Sequence, residues 1–231
     1  MAEFDNYANE YSNEINNSLR FFGKQQDFFT KHKASTVLNK LKEHGLNAET
    51  VSLLDVGCGI GLLHQYITPS ITNIHGIDVS EESLKIASEF NRGVIYKQFD
   101  GKNFPYADGT FDCVICFCVL HHVPVPQWNE FVNEMSRVTK SGGMIIFIEH
   151  NWLNPFTQWI VQTCKFDENA NLVSPRKLKK LLQACNVHKP SLSYILFTPF
   201  STRFFRFLDR ILNFVPFGAQ YVMSGIVVRS T

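Results

Sequence analysis

Residues 53–61 read LLDVGCGIG, an apolar run that leads into a turn with glycines at positions 57, 59 and 61. The apolar run predicts a buried strand, and glycines let the backbone turn tightly and bring its amides against a ligand. The nicotinamide fingerprint G-x-G-x-x-G places its third glycine three positions after the second, whereas here the interval is two. Asp55 adds a carboxylate that would repel a pyrophosphate and suits a cationic group. The turn therefore favours a cofactor other than a dinucleotide.

Short apolar runs alternate with helical patterns around this turn. Strands are predicted at 51–56, 73–78, 94–98, 111–117 and 144–149, and helices at 62–67, 81–90 and 127–139. This alternation is typical of right-handed βαβ units, which build a parallel sheet with helices on both faces. Runs at 192–197 and 221–228, after a predicted helix at 174–184, would close the sheet as an antiparallel pair. The sequence thus predicts an α/β fold with a Rossmann-like doubly wound sheet, mostly parallel with an antiparallel last strand.

The length of 231 residues suits one such domain with additions. We expect a single domain over 1–231, with a cofactor-binding core at 50–150 and substrate-side elements plus the last strands at 151–231. Residues 1–48 carry irregularly spaced aromatic side chains. They are expected to form an N-terminal helical lid over the site, and helices that simply cap the sheet are the alternative.

Composition narrows the class of protein. A net charge of +1 and 45% hydrophobic residues argue against disorder and against a nucleic-acid partner. The first residues are acidic and polar, and no apolar run approaches the ~20 residues of a membrane span, so neither a signal peptide nor a spanning helix is expected. Four of the six cysteines lie in runs predicted as buried strand or cofactor loop, which favours a reducing, cytoplasmic setting without a metal site. Cys116 and Cys118 are interpreted as small buried side chains on one face of a strand.

Two further carboxylates follow predicted strands. Asp78 ends the second strand about 20 residues beyond the glycine turn, the spacing of a carboxylate that binds both ribose hydroxyls. Ser80 can cap the next helix in place of Asp78. Asp100 follows the third strand, and Asp112 is interpreted as structural.

These elements together resemble class I S-adenosylmethionine-dependent methyltransferases, whose first motif is E/D-x-G-x-G-x-G. The resemblance covers roughly residues 50–150. Within the class, this region is similar to the branch that includes ubiquinone and menaquinone biosynthesis methyltransferases. The run 98–112 is similar to the family's G-D-A-x-x-L-P-F-x-D-x-S-F-D, and 114–124 to its strand ending in V-L-H-H-V. Phe99 and Gly101 stand where the family has glycine and alanine, so the loop around Asp100 is expected to differ in shape.

The resemblance implies S-adenosylmethionine as cofactor. It assigns the ribose to Asp78, the adenine amino group to Asp100, the adenine ring to the backbone of the next residue, and the methionine part to the main chain near Phe117. The expected cofactor-binding residues are Asp55, Gly57, Cys58, Gly59, Gly61, Asp78, Val79, Asp100, Gly101 and Phe117.

Catalysis and acceptor binding have fewer signals. Methyl transfer by in-line displacement depends on alignment, and a histidine base helps where the acceptor must lose a proton. On an extended strand only one of His121 and His122 can face the site, and we expect His122; two hydrogen-bonded loop residues are the alternative. His150, after the fifth strand, is a second candidate base. Tyr11 and Trp152 are candidates for the substrate pocket.

Residues 197–217 carry apolar side chains at helical spacing with arginines largely off that stripe. We expect an apolar acceptor wall or a peripheral membrane contact there, against ordinary core or a dimer seam. The predicted function is methyl transfer to a small-molecule or lipid-like acceptor. The alternatives are a non-catalytic partner subunit of the same fold and a nicotinamide oxidoreductase, and the sequence does not indicate the oligomeric state.

Overall fold

The computed structural model describes residues 26–163, 170–197, 207 and 211–229. The helices are α1 (Gln26–Glu43), α2 (His64–Ile67), α3 (Glu81–Phe90), α4 (Trp128–Val138), α5 (Pro155–Thr163) and α6 (Pro175–Ala184). The strands are β1 (Ser52–Val56), β2 (Asn73–Asp78), β3 (Ile95–Gln98), β4 (Phe111–Phe117), β5 (Thr139–His150), β6 (Val187–Ile195) and β7 (Gln220–Val227). Short 3-10 turns cover Leu120–His122 and Val125–Gln127.

The seven strands form one sheet in the order β3-β2-β1-β4-β5-β7-β6. β1 to β5 are parallel to one another, and β7 runs antiparallel to both β5 and β6. The predicted fold class is therefore confirmed. Because β1 and β4 lie side by side at the point where the strand order reverses, their carboxyl ends form the crevice in which open α/β sheets bind ligands.

Two strands differ from the prediction by more than two residues at a boundary. β5 begins at Thr139 instead of position 144, and β6 covers Val187–Ile195 instead of 192–197. β6 is an edge strand with an irregular register between His188 and Ser191, and several of its side chains are exposed. A strand at an exposed edge does not need the apolar run by which buried strands are recognised. The polar first half of β6 therefore could not be recognised as a strand from the sequence.

The central strand β4 is buried on both faces. Val114 and Cys116 pack into one core cluster, whereas Cys113 and Ile115 pack into the other. The C-x-x-C spacing of Cys113 and Cys116 therefore puts the two thiols on opposite sides of the sheet, where they cannot bind one ion together. Within the described part of the chain, no three His, Cys, Asp or Glu side chains are placed to hold a metal.

Polar side chains fasten the strand starts and the helix starts. Asp112 accepts hydrogen bonds from the backbone amide and hydroxyl of Ser52 (2.9 and 2.6 Å) and from Lys140 Nζ (2.8 Å), which joins the starts of β1, β4 and β5. Ser80 Oγ accepts from the Ser83 amide at 3.1 Å and Ser174 Oγ from the Lys177 amide, so both serines cap helices. These contacts agree with the structural interpretation of Asp112 and with the predicted cap at Ser80.

Helix α1 is the described part of the predicted N-terminal lid. Its Ala34, Val37 and Leu41 side chains are buried in the core cluster on one face of the sheet, as in a capping helix. Its Phe29 and Lys33 line the cavity at the sheet edge, as in a lid. None of the helices in the described ranges is long and apolar enough to cross a bilayer.

Candidate active site

A cavity of about 490 Å³ opens at the carboxyl ends of β1, β2 and β4. Its size is that of small-molecule sites, which span ~300–1,000 Å³. The predicted residues that line it are Asp55, Gly57, Cys58, Gly59, Asp78, Val79, Asp100, Gly101, Phe117, His122 and His150. Gly61 and the 44% exposed Trp152 lie outside its wall, and Tyr11 lies outside the described residues.

The glycines of the turn after β1 serve different purposes. Gly57 has φ +73°, and a Cβ there would lie 2.8 Å from Val119 Cγ1 and closer still to Cγ2. Gly59 has φ +53°, and a Cβ there would meet nothing within 4 Å. Gly61 faces the protein, because a Cβ would lie 2.7 Å from both Asn91 Nδ2 and Tyr96 Oη. The first glycine thus permits close packing on the end of β4, the second leaves open space in the cavity, and the third packs on α3 and β3.

Asp78 connects the end of β2 to the glycine turn. Its Oδ2 accepts from the Gly59 amide at 2.8 Å and its Oδ1 from the Ser80 amide at 2.9 Å. Burial raises the pKa of this carboxyl above its usual value, against the lowering effect of the two hydrogen bonds. A carboxylate has about four lone-pair sites, so Asp78 retains capacity to accept ligand hydroxyl groups.

Two more carboxylates border the same cavity. Asp55 is buried, and its Oδ2 lies 3.1 Å from His64 Nε2. Asp100 is exposed and accepts from the Asn103 and Lys102 amides at 2.6 and 2.8 Å, and these bonds lower its pKa to about 2. The carboxylates bias the cavity toward ligands that carry positive charge and hydrogen-bond donors.

The two adjacent histidines lie on the 3-10 turn Leu120–His122 and not on an extended strand. Cys118 has φ +57°, which ends the strand and redirects the chain. His121 is fully buried with its Nδ1 2.6 Å from Glu149 Oε2, whereas His122 is half-buried and lines the cavity. The expected strand conformation was wrong, but of this pair the turn does place His122 on the cavity wall.

The buried carboxylate of Glu149 holds the turn that carries the two histidines. It is buried, and its Oε1 accepts from the Leu120 amide at 3.0 Å. Burial alone would raise the pKa of Glu149, but the charge and hydrogen bond of His121 outweigh it and leave the pKa below its usual value. The His121 ring lies 4.2 Å from that of His122 and 5.1 Å from that of His150, centroid to centroid. The result is a row of imidazoles between a buried carboxylate and the cavity.

Among the polar wall residues that sequence reasoning missed, Lys33, Cys118 and Gln220 form a connected group. Lys33 Nζ of α1 donates to Cys118 Sγ at 3.3 Å, and Gln220 Nε2 at the start of β7 donates to the same sulfur at 3.2 Å. All three line the cavity beside His150. Only the pairing of His150 with Gln220 in the β5–β7 register, and the packing of α1, bring these segments together.

Apolar side chains cover the part of the cavity away from the carboxylates. They are Phe29, Val123, Pro124, Phe131, Ile160 and Leu196.

In the segment 197–217, Phe197 packs against the core, whereas Phe207, Ile211, Phe214 and Phe217 are exposed. Positions 198–206 and 208–210 of that segment lie outside the described residues.

Comparison with known proteins agrees with this geometry. The methyltransferase domain family matches residues 54–147. The chain is 30% identical over 178 residues to malonyl-[acyl-carrier protein] O-methyltransferase of Buchnera aphidicola, which covers 76% of this chain and 68% of that protein. It is 25% identical over 212 residues to ubiquinone biosynthesis O-methyltransferase of Paraburkholderia xenovorans, covering 85% and 90%. A Thermotoga maritima crystal structure described as a SAM-dependent methyltransferase, possible histamine N-methyltransferase, shares the fold with a TM-score of 0.69, at 20% identity over 96% and 97% of the two chains.

Proposed function

Because the chain belongs to the class I S-adenosylmethionine-dependent methyltransferases, we propose that it methylates a hydroxyl oxygen of a small-molecule or lipid-like acceptor. The proposal rests on the composition of the cavity, which has two different halves. The carboxylates and the glycine turn line one half, and the histidines and the apolar side chains line the other. Both relatives named above are O-methyltransferases, which supports oxygen as the acceptor atom. Family membership sets aside the nicotinamide oxidoreductase alternative.

The residues of the carboxylate half fit the cofactor. When bound, the cofactor supplies a methyl group on a cationic sulfonium, whose leaving group is a neutral thioether. Asp78 would accept from the ribose hydroxyls and Asp100 from the adenine amino group, while Val79 and Phe99 would contact the ring. The open space at Gly59 lets a ligand approach the main chain, and the negative potential of Asp55 suits the cationic methionine part.

The histidine half would receive the acceptor. We assign His122 and His150 as the candidate bases that take the hydroxyl proton, because both line the cavity next to its apolar walls. His121 is a positioning residue in this scheme, since it is buried against Glu149 and its ring packs, tilted, against the rings of both candidate bases. We also propose 50–150 as the cofactor core, 151–231 as the substrate side and 1–48 as the lid, although His122 and His150 of the acceptor half lie within 50–150. A cytoplasmic location stays a prediction.

Calorimetric titration tests the cofactor half first. The wild type should bind S-adenosylmethionine but not NADH. Asp78→Asn should weaken binding of S-adenosylmethionine about 10- to 100-fold, the effect of losing charge-assisted hydrogen bonds worth ~1.5–3 kcal/mol. Glu81→Gln is the matched control, since Glu81 carries the same charge three positions on but is exposed and outside the cavity wall.

Product assays then test the acceptor half. Formation of S-adenosylhomocysteine should appear with phenols, carboxylic acids or hydroxylated lipids added to the loaded enzyme. Cofactor binding without turnover on any hydroxyl compound, or turnover only on amines, would overturn the oxygen assignment. Absence of cofactor binding by the wild type would overturn the whole proposal.

We also propose that exposed apolar side chains beside the cavity make a peripheral membrane contact. Trp152, Leu153, Phe156 and Trp159 are exposed on α5 and its lead-in, and residues 151–163 contain no charged side chain. Ile160 of the same helix lines the cavity, so the exposed aromatic side chains adjoin the acceptor half. Trp side chains favour the interface between membrane and water, where a lipid-like acceptor would enter.

Liposome flotation tests this contact. Trp159→Gln should reduce binding to phosphatidylcholine/phosphatidylglycerol vesicles several-fold. Phe90→Ser should not, because Phe90 is even more exposed than Trp159 but lies on α3. If the purified wild type does not float with the vesicles, and a detergent-free soluble acceptor is methylated as fast without them, the membrane contact is wrong.

A further inference from the structure

Cys118 occupies an unusual position at the end of β4. Its φ of +57° is rare for a residue with a side chain, and such conformations are concentrated at functional sites. Its amide donates to the Ile148 carbonyl at 2.8 Å, which holds this conformation against the end of β5. Since the chain leaves the strand here, the thiol lines the cavity and does not enter the core as Cys116 does.

The surroundings of Cys118 favour its thiolate. Burial raises the pKa of the thiol, but the charge of Lys33 and the charge and hydrogen bond of His150 outweigh it and lower the pKa to about 7. Glu149 opposes them from β5. Cys116 and Tyr221 also interact with Cys118, and burial raises the pKa of each, so both are neutral near pH 7.

The other described cysteines provide an internal contrast. Cys113 and Cys116 are fully buried, and burial raises the pKa of each thiol. Burial likewise raises the pKa of Cys58, and that of Cys185 to about 11. Since the thiolate is the nucleophile, buried thiols in apolar surroundings are inert while a cavity thiol beside cations reacts. Cys58 also lines the cavity, but there the charges of Asp55 and Asp78 add to burial in raising its pKa. Among the described cysteines, Cys118 alone combines a lowered pKa with a cationic neighbour.

A second, independent feature lies beside the thiol. Gln220 is 7% exposed and lines the cavity, and its Nε2 is bound to Cys118 Sγ. Its Oε1 has no hydrogen-bond partner among the described residues. A buried acceptor without a donor is destabilising, so the site is completed by a group that brings an O–H or N–H next to the sulfur.

We propose that Cys118, flanked by Lys33 and Gln220, is a modification site of this enzyme, one that takes hydrogen peroxide and small alkylating electrophiles in the acceptor half of the cavity. With peroxide, the sulfur bonds to one oxygen and the O–O bond breaks. The thiol is oxidised to sulfenic acid, and the peroxide is reduced to water with a proton from solvent. The new S–OH provides a donor for Gln220 Oε1, and Lys33 donates to its oxygen. With iodoacetamide a C–S bond forms, iodide leaves, and the added amide supplies N–H donors in the same place.

Peptide-resolved mass spectrometry of the full-length protein tests the proposal. Iodoacetamide labelling of Cys118 should be half-maximal near pH 7, and dimedone should trap its sulfenic acid after peroxide treatment. Because Cys113, Cys116 and Cys118 share one tryptic peptide, fragment ions must place the label on Cys118 and show Cys113 and Cys116 unmodified in the folded protein. Lys33→Met should move the midpoint up by about one pH unit and slow labelling at pH 7 roughly fivefold. Lys31→Met is the matched control, because Lys31 lies on the same helix but pairs with Asp27.

Gln220→Leu tests the contribution of the unpaired Gln220 Oε1 separately from that of the Lys33 charge. It should reduce the yield of trapped sulfenic acid while leaving the labelling midpoint nearer the wild-type value than Lys33→Met does. A Cys118 midpoint at or above the ~8.5 of an ordinary thiol, or an unchanged midpoint in a Lys33→Met protein with wild-type circular dichroism, would overturn the proposal. Labelling uses neither cofactor nor acceptor, so its outcome is separate from that of the proposed methyl transfer.

Discussion

Gly57→Ala should destabilise the protein far more than the same change two residues later. Alanine at φ +73° is strained by about 1–2 kcal/mol, the handedness penalty of a residue with a Cβ. The added methyl would also overlap the side chain of Val119, and overpacking of this kind costs about 1–3 kcal/mol. Together these effects predict a loss of about 2–5 kcal/mol in the free energy of unfolding.

Gly59→Ala is the matched control for that substitution. Its φ of +53° carries a similar conformational penalty, but the new Cβ meets nothing within 4 Å. The expected loss is therefore about 1–2 kcal/mol. Urea unfolding followed by circular dichroism measures both losses on the same scale.

Val119→Ala completes a double-mutant cycle with Gly57→Ala. Shortening Val119 removes the overlapping methyl groups, so the double variant should recover at least about 1 kcal/mol relative to the sum of the single losses. Equal losses for Gly57→Ala and Gly59→Ala, together with strict additivity in the cycle, would refute the steric explanation of the first glycine.

Two further predictions concern the histidine row. His150→Gln should slow methylation of a hydroxyl acceptor by about 10²–10⁴-fold and leave the affinity for the cofactor nearly unchanged. His122→Gln is the comparison. Wild-type rates in both variants would exclude a histidine base. Glu149→Gln should lower the free energy of unfolding at pH 7 by about 3–5 kcal/mol, because it leaves buried His121 without its charged partner. The folded pKa of Glu149 lies below its usual value, so this contribution is present above the unfolded value of ~4.3 and is lost as pH falls through the folded one. The gap between variant and wild type in urea titrations should therefore narrow from pH 7 to pH 3, and a constant gap would contradict the linkage.

The buried strands and capped helices could be predicted from local sequence. β2, β4 and α3 begin and end at the predicted residues, because a strand or helix buried between other layers must carry an unbroken apolar run or stripe. The edge strand β6 could not be predicted in full, since half of its side chains face solvent and tolerate polar residues. The same reasoning predicted the glycine turn after β1 and the carboxylates after β2 and β3, all of which line the cavity.

The sequence by itself determined the family, the order of the parallel strands along the chain and the residues of the carboxylate half of the cavity, because these depend on short motifs whose spacing reflects strand length and turn geometry. Tertiary structure alone decided which histidine reaches the cavity, since that follows from the backbone reversal at Cys118 and the buried pairing of His121 with Glu149. It also decided that Lys33 and Gln220 meet one sulfur, at separations of 85 and 102 positions along the chain. Contacts over such distances arise from how α1 and β7 pack against β4, and no local pattern of residue types encodes that packing.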